Sequence, residues 1–364
     1  MKKVFLFAYD KQNLGDDLFI HTITARYPQA QFYLRSEKKN IQTFSCLPNL
    51  KVIAPAPPIA RFLRRIRPSL AHRFLHWQEN RCDASVYIGG SIFMEYPNWR
   101  HFSEWWDYQA QNRRFYVMGA NFGPWHDPEY PQVMGDIFAK MEDVCFRERY
   151  SYELFHHVPT VRQAPDILLA YPMPRTTVKK KQIFVSVINC LGRDAAHSLS
   201  QHQENYIHGM TSLLRRYLDD GCSIILSSFC KEEGDEESAS LLLDVLDRPG
   251  DPNIRTLHYD GTNAHALTEA IAESDYIIAT RFHATVLAIA AGRPVLPILY
   301  SDKTKHLLQD LAFNGLCFDL RQKDNWDYTL SRHNWDHPQP PLSEKVRQDA
   351  TSHFEKLDQL LNKL

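Results

Sequence analysis

The stretch DYIIATRFHATVLAIAAGRPVLPILYSDKTKH, residues 275–306, decides the fold. Its apolar run Tyr276-Ile277-Ile278-Ala279 has the length and the β-branched content of a strand buried on both faces. Thr280-Arg281-Phe282-His283 follows at once, and a helical run begins around Ala284. A second apolar run, 295–298, ends just ahead of Tyr300 and Lys303. Strand, helix and strand joined this tightly form a βαβ unit, from which parallel sheets are built. In open parallel sheets, ligands bind where strands end and helices begin. Arg281 and His283 leave the strand at alternate positions, so an extended backbone projects both to one side. Both then lie at a helix N-terminus, where the dipole favours an anion. Lys303 is placed to close the same pocket, and a histidine that merely caps the helix is the plainer reading.

Outward from this unit the pattern repeats. Strands are predicted over 4–8, 31–34, 52–54, 84–88, 114–118 and 144–146, and again over 182–188, 223–227, 254–259, 276–279 and 295–298. Helical spacing over 206–219, 236–246 and 264–273 falls between the later strands. Tyr171-Pro172-Met173-Pro174, followed by a basic run to Lys181, reads as a linker. The expectation is an α/β fold of two Rossmann-like domains facing a cleft, residues 1–172 and 173–335. In the remaining segment, 336–364, Val346, Ala350, Phe354, Leu357, Leu360 and Leu361 recur near helical spacing and predict a helix returning to the first domain.

A chain of 364 residues exceeds a single ordinary core, and its 44% hydrophobic content supports two. Lys plus Arg number 42 against 43 Asp plus Glu, so no global field gathers nucleic acid, and any electrostatic recognition is local. Seven scattered cysteines without a C-x-x-C pair fit neither a disulfide framework nor a zinc site, and suit a reducing cytosol. The N-terminal apolar run is too short for a signal peptide, and no window reaches the length of a membrane span. A cytoplasmic protein is expected.

Other strand ends carry further candidates. Asn13-Leu14-Gly15-Asp16-Asp17 follows the first strand; Gly15 is conformationally permissive, and Asp16 can cap the next helix. Gly89-Gly90-Ser91 can bring backbone N–H groups close to a phosphate or carboxylate, although a plain turn needs the same glycines. Behind it lie Tyr96, Trp99, Phe102, Trp105, Trp106 and Tyr108, rings suited to packing a core or stacking on a sugar. Gly119 to His126 is a loop containing Asn121 and stiffened by Pro124. Arg147 ends another strand, either to fork onto an anion or to pair with Glu148 or Asp166. Residues 61–76 carry five arginines and two histidines among apolar residues, suited to a membrane surface or to a solvated helix face. The acidic run 232–237 reads as a helix N-terminus enriched in its favoured charge. H-E-x-x-H, P-loop and G-x-S-x-G motifs are absent from the sequence.

Taken in order, N-L-G-D-D (13–17), G-G-S (89–91), G-A-N-F-G-P (119–124), R-E-R-Y-S (147–151) with A-P-D (164–166), T-R-F-H (280–283), A-G-R-P (291–294) and Y-S-D-K (300–303) resemble the polysaccharide pyruvyl transferase family. Thr280, Phe282 and Glu148 stand where serine, leucine and aspartate are commoner in that family. The resemblance implies a glycosyltransferase-B-like architecture that moves a pyruvyl group from phosphoenolpyruvate onto two hydroxyls of a sugar as a cyclic ketal. It implies a donor site of Arg147, Arg281, His283 and Lys303, to which Phe282, Asn13, Gly15, Gly90 and Ser91 are added as candidates from the neighbouring loops. On the chemistry of the residues His283 is the candidate general acid, and Asp16 is the hypothesis for the base. Asn121, His126, Trp99 and Trp105, with the basic segment around Arg64, are expected on the acceptor side. The acceptor is a sugar of a bacterial-type polysaccharide or its lipid-linked precursor, which would bring the protein to the inner face of a membrane. Phosphoenolpyruvate is a co-substrate, and no metal or other cofactor is expected. Two alternatives stand beside this reading: a nucleotide-sugar-dependent glycosyltransferase of the same architecture, and a non-catalytic anion-binding module.

Overall fold

The computed structural model describes residues 1–53, 79–176, 180–192, 199–322 and 326–361. The basic segment 61–76, with Arg64, lies outside the described residues. The chain forms two units: residues 1–10, 16–164 and 351–364 make the first, and 11–15 with 165–350 the second.

The first unit is built on a seven-stranded sheet ordered β3-β2-β1-β4-β5-β6-β7. Its strands are β1 (Lys3–Phe7), β2 (Gln31–Arg35), β3 (Leu50–Ile53), β4 (Ala84–Ile88), β5 (Phe115–Ala120), β6 (Asp143–Phe146) and β7 (Val161–Gln163). All the pairings are parallel, so every strand delivers its C-terminal end to the same edge. The order reverses between β1 and β4, and a crevice opens at such a switch point in doubly wound sheets. Helices α1 (Leu14–Arg26), α2 (Trp99–Asn112), α3 (Glu129–Phe138) and α4 (Arg149–Phe155) connect the strands. On one side of the sheet Phe93, Trp106, Phe115, Phe138, Phe146 and Phe155 pack into a buried aromatic core.

The second unit repeats the plan with six parallel strands ordered β10-β9-β8-β11-β12-β13. They are β8 (Gln182–Ser186), β9 (Ser223–Ser227), β10 (Ile254–Thr256), β11 (Tyr276–Ala279), β12 (Val295–Leu299) and β13 (Phe318–Asp319). Helices α5 (Gln203–Asp219), α6 (Asp235–Leu246), α7 (Ala264–Glu273), α8 (Phe282–Ala290), α9 (Asp302–Asp310), α10 (Tyr328–Asp336) and α11 (Glu344–Thr351) cover it. Every residue of the central strand β11 is buried. Each buried isoleucine there contributes about 1.5–3 kcal/mol, which explains a run without polar alternation. The switch point lies between β8 and β11, so Thr280-Arg281 emerges where the fold opens.

The division falls at Ala164/Pro165, not at residue 172, and the tail changes sides at Thr351, not at 336. Arg347 accounts for both corrections. Its guanidinium donates to the carbonyls of Leu169 (3.2 Å) and Ala290 (2.7 Å), tying the 3-10 turn Ile167–Ala170 and helix α11 to α8. Residues 351–361 then return to the first unit through helix α12 (Glu355–Leu361). Asp358 accepts hydrogen bonds from Arg26 (2.7 and 3.1 Å) and from the buried Tyr27 hydroxyl (2.7 Å). Arg162 donates to the carbonyl of His353, whose Nδ1 accepts the Gly119 N–H at 3.3 Å.

Candidate active site

In the second unit, residues 280–283 form the junction between β11 and α8. Thr280 and Arg281 hang on β8: both backbone N–H groups donate to the Ser186 hydroxyl, at 3.1 and 3.2 Å. The Thr280 hydroxyl meets the buried Tyr206 hydroxyl at 3.0 Å. Arg281 occupies the N-cap position in an extended conformation, with no side-chain cap. Its guanidinium turns to two carboxylates: Nε donates to Asp235 at 2.7 Å, Nη1 to Glu233 at 2.6 Å, and Nη2 to the second oxygen of Asp235. Burial opposes the guanidinium's charge, but the two carboxylates outweigh it and raise the pKa well above its ordinary value. The resemblance assigns Arg281 to the donor, whereas here its fork is occupied by acidic side chains.

His283 lies on the first turn of α8, half-buried, with its ring edge-on to that of Phe282 (centroids 5.2 Å apart). Its ring lies against Gly15. A Cβ at residue 15 would stand 1.7 Å from the imidazole Nδ1, so the ring occupies the space that any other side chain would need. The segment bearing Gly15 is held by the residues that follow β9. Leu14 N–H donates to the Phe229 carbonyl (3.1 Å), Asn13 bridges Cys230 in antiparallel fashion, and the Gly15 N–H reaches Asn13 Oδ1 at 3.2 Å. Burial pushes the Cys230 thiol up to about 12, which keeps it protonated and able to donate to the Lys11 carbonyl. Lys303, half-buried at the start of α9, places Nζ 5.6 Å from the Phe282 ring centre and 5.4 Å from that of Tyr300. Aromatic faces steady an ammonium without neutralising it.

The first unit carries a separate set at the ends of β4, β5 and β6. Arg147 is buried, and its Nη2 donates to Asn121 Oδ1 at 2.6 Å. The Ser91 hydroxyl meets the same oxygen at 3.2 Å. A Cβ at Gly90 would stand 2.6 Å from Arg147 Nη2, so this glycine admits the guanidinium as Gly15 admits the imidazole. Backbone bonds fix the frame, with Asn121 N–H to the Gly90 carbonyl and Arg147 N–H to that of Ala120, both 2.9 Å. Asp16 lies alongside the glycine loop, 4.0 Å from where a Gly89 Cβ would be. Burial, with the Asp16 charge adding to it, pushes the neighbouring Tyr87 phenol up.

The structure thus groups Arg147, Asn121, Gly90 and Ser91 in the first unit, and Asn13, Gly15, Phe282, His283 and Lys303 in the second. Other expected acceptor residues fall elsewhere. Trp99 is buried against Tyr130 (5.2 Å) with the Arg100 guanidinium over its ring, so it packs the core and offers no face to a sugar. Trp105 packs edge-on against Phe7 at 5.3 Å. His126 is exposed on the loop after the cis Gly123-Pro124 bond, 3.9 Å from Glu95. Asp235 and Glu233 were not among the expected site residues, because the acidic run had a sufficient explanation in the helix dipole. The available signal was that Arg281, leaving a wholly apolar strand, needs a buried carboxylate.

Two parallel sheets, each in Rossmann order with its polar groups at strand C-terminal ends, define a two-domain fold of the glycosyltransferase-B kind. A model of the family described as polysaccharide pyruvyl transferase matches residues 13–302, and the chain belongs to that family. The amylovoran biosynthesis protein AmsJ of Erwinia amylovora is 19% identical over 256 residues, a match taking in 66% of this chain and 62% of that protein. This chain therefore spans less than two thirds of that relative's length. Among solved structures, UDP-GlcNAc 2-epimerase from Neisseria meningitidis bound to UDP-GlcNAc is similar over 100% of both chains, with TM-score 0.64 and 10% identity. HepE from Anabaena, in complex with UDP and glucose, is similar over 100% of both chains with TM-score 0.56 and 13% identity. At such identities the likeness is one of fold. Among the described residues, no helix is long and apolar enough to cross a membrane.

Proposed function

We propose that the protein transfers the pyruvyl group of phosphoenolpyruvate onto two hydroxyls of a sugar in a polysaccharide or its lipid-linked precursor, closing a cyclic ketal. The observation that carries this reading is His283 seated against Gly15 at the switch point of the second sheet, in a unit that also presents the Lys303 ammonium between two aromatic faces. An imidazole can deliver a proton, and a lysine ammonium can meet a phosphate or carboxylate.

In the proposed reaction His283 protonates the methylene carbon of phosphoenolpyruvate, and positive charge develops at C2. A sugar hydroxyl adds there, and inorganic phosphate leaves. A second hydroxyl of the same sugar then closes the ketal, and Asp16 is our choice of base for it. Of the two protons lost by the hydroxyls, one balances that placed on carbon and the other departs with phosphate. Arg147 is assigned to anion binding by the same resemblance. Its guanidinium, fixed on Asn121, offers donors that need no reorganisation during reaction.

The test is incubation with phosphoenolpyruvate and a panel of free and lipid-linked galactosides, mannosides and hexosaminides. A product heavier by one pyruvyl ketal, with release of inorganic phosphate, is expected. The nucleotide-sugar alternative predicts thermal stabilisation by UDP-sugars alone, and the same panel run with those donors separates the two.

A further inference from the structure

We infer that Asp235 is a positioning residue for His283, and that Arg281 serves the reaction chiefly through Asp235. This inference rests on the proposed role of His283 as proton donor.

Asp235 is wholly buried, and its Oδ2 accepts three hydrogen bonds: Arg281 Nε at 2.7 Å and the backbone N–H groups of Phe229 and Cys230, both at 3.1 Å. Its other oxygen takes Arg281 Nη2. One carboxylate thereby joins the segment that follows β9 to the residue that follows β11. The order of strands makes this a long reach, because β8 separates β9 from β11. Phe229 and Cys230 are in turn the residues that grip Asn13 and Leu14, through the Leu14 N–H to Phe229 carbonyl bond and the antiparallel bridge. That grip presents Gly15 to the imidazole.

The connections close a circuit within the second unit. It runs from Arg281 to Asp235, through Phe229-Cys230 to Asn13-Leu14-Gly15, across to His283, and along two residues of chain back to Arg281. The imidazole is held between two arms whose separation Asp235 sets. Glu233 supports the outer side of the guanidinium, with its side chain 23% exposed. A buried charge pair built into so many backbone contacts serves geometry better than it serves a mobile ligand, since exposing the guanidinium to a donor means breaking bonds at a buried carboxylate.

The decisive experiment compares wild type with Asp235→Asn and Arg281→Lys by steady-state kinetics and by the imidazole NMR resonances of His283 without donor. Those resonances are assigned by their loss in His283→Gln. Asparagine keeps an acceptor for the backbone but opposes the guanidinium, and lysine keeps the charge but loses the fork. We expect both to lower kcat about 100-fold, the effect of a small misplacement of a reacting group. The KM for phosphoenolpyruvate should move less than about threefold. The His283 resonances should shift, and the double variant should fall no further than the worse single one. Unaltered His283 resonances in Asp235→Asn overturn the inference. So does a raised KM with kcat preserved in Arg281→Lys, which would make Arg281 a direct donor ligand. If Asp235→Asn does not fold, Arg281→Lys decides alone: shifted His283 resonances with lowered kcat and a steady KM support the inference, and unaltered resonances or a raised KM with kcat preserved overturn it. If wild type turns over no phosphoenolpyruvate, the proposed function falls alone, and the resonance comparison still returns one of the two answers.

Discussion

Glycine 15 and glycine 90 do the same work for different side chains. Gly15 lies in the first turn of α1, so alanine there suits the helix better by about 1 kcal/mol and the backbone needs no strain. The added methyl, however, falls on the His283 ring. Gly15→Ala should therefore keep the fold while lowering kcat about 100-fold, as judged by circular dichroism melting beside turnover. Wild-type turnover in that variant would mean that the imidazole seat does not matter. Gly90→Ala is the matching experiment for Arg147, and is expected to cut activity while leaving the melting temperature within a few degrees. The sequence made both glycines visible as loop residues after strands, but not what they make room for. Close approach depends on which side chain arrives from a distant part of the chain, and His283 is 268 positions beyond Gly15. Asp235 stayed hidden for the same reason: beside Glu236 and Glu237 it satisfies a local rule, and the partner that gives it meaning comes from the junction after β11.

At the scale of elements, the central strands and the edge strands β3 and β10 were legible, whereas the edge strands β7 and β13 were not. β11 reads plainly because it is buried on both faces, and α7 spans the residues its periodicity indicates. β7 and β13 are three and two residues long, too short to show a period. The return of the C-terminal helix was legible in its apolar spacing, but its boundary was not, since Arg347 holds α11 to the second unit by carbonyl contacts that no sequence pattern announces. The return is tested by Leu357→Ala and Asp358→Ala. Leu357 is wholly buried, and its truncation should cost about 2–5 kcal/mol. Losing the Asp358 carboxylate leaves the buried Tyr27 hydroxyl only its longer 3.4 Å contact with the Phe354 carbonyl and should cost about 1–3 kcal/mol. Chemical denaturation measures both, and unchanged midpoints would mean that the tail is not part of the first unit's fold.

For the whole molecule, near-balanced charge leaves stability to local groups, and His21 makes one pH dependence specific. Burial lowers its pKa from the ordinary value. The folded state thus binds that proton less readily than the unfolded chain does. The stability it contributes is present above the unfolded value of about 6.5, and is lost as pH falls from there through the lower folded value. Melting profiles should show His21→Gln less sensitive to acid than wild type in that window, and an equal slope would remove His21 as the cause. The family was legible from ordered motifs spread along nearly the whole chain, each short by itself. The proposed chemistry depends on His283, and one comparison reaches it directly. Purified wild type and His283→Ala are incubated with phosphoenolpyruvate and the glycan panel, and ketal product is followed by mass. Wild type should form the ketal and release phosphate, while His283→Ala should still bind phosphoenolpyruvate but lose turnover by about 100- to 10,000-fold. Ketal formation by His283→Ala at near wild-type rates would contradict the account.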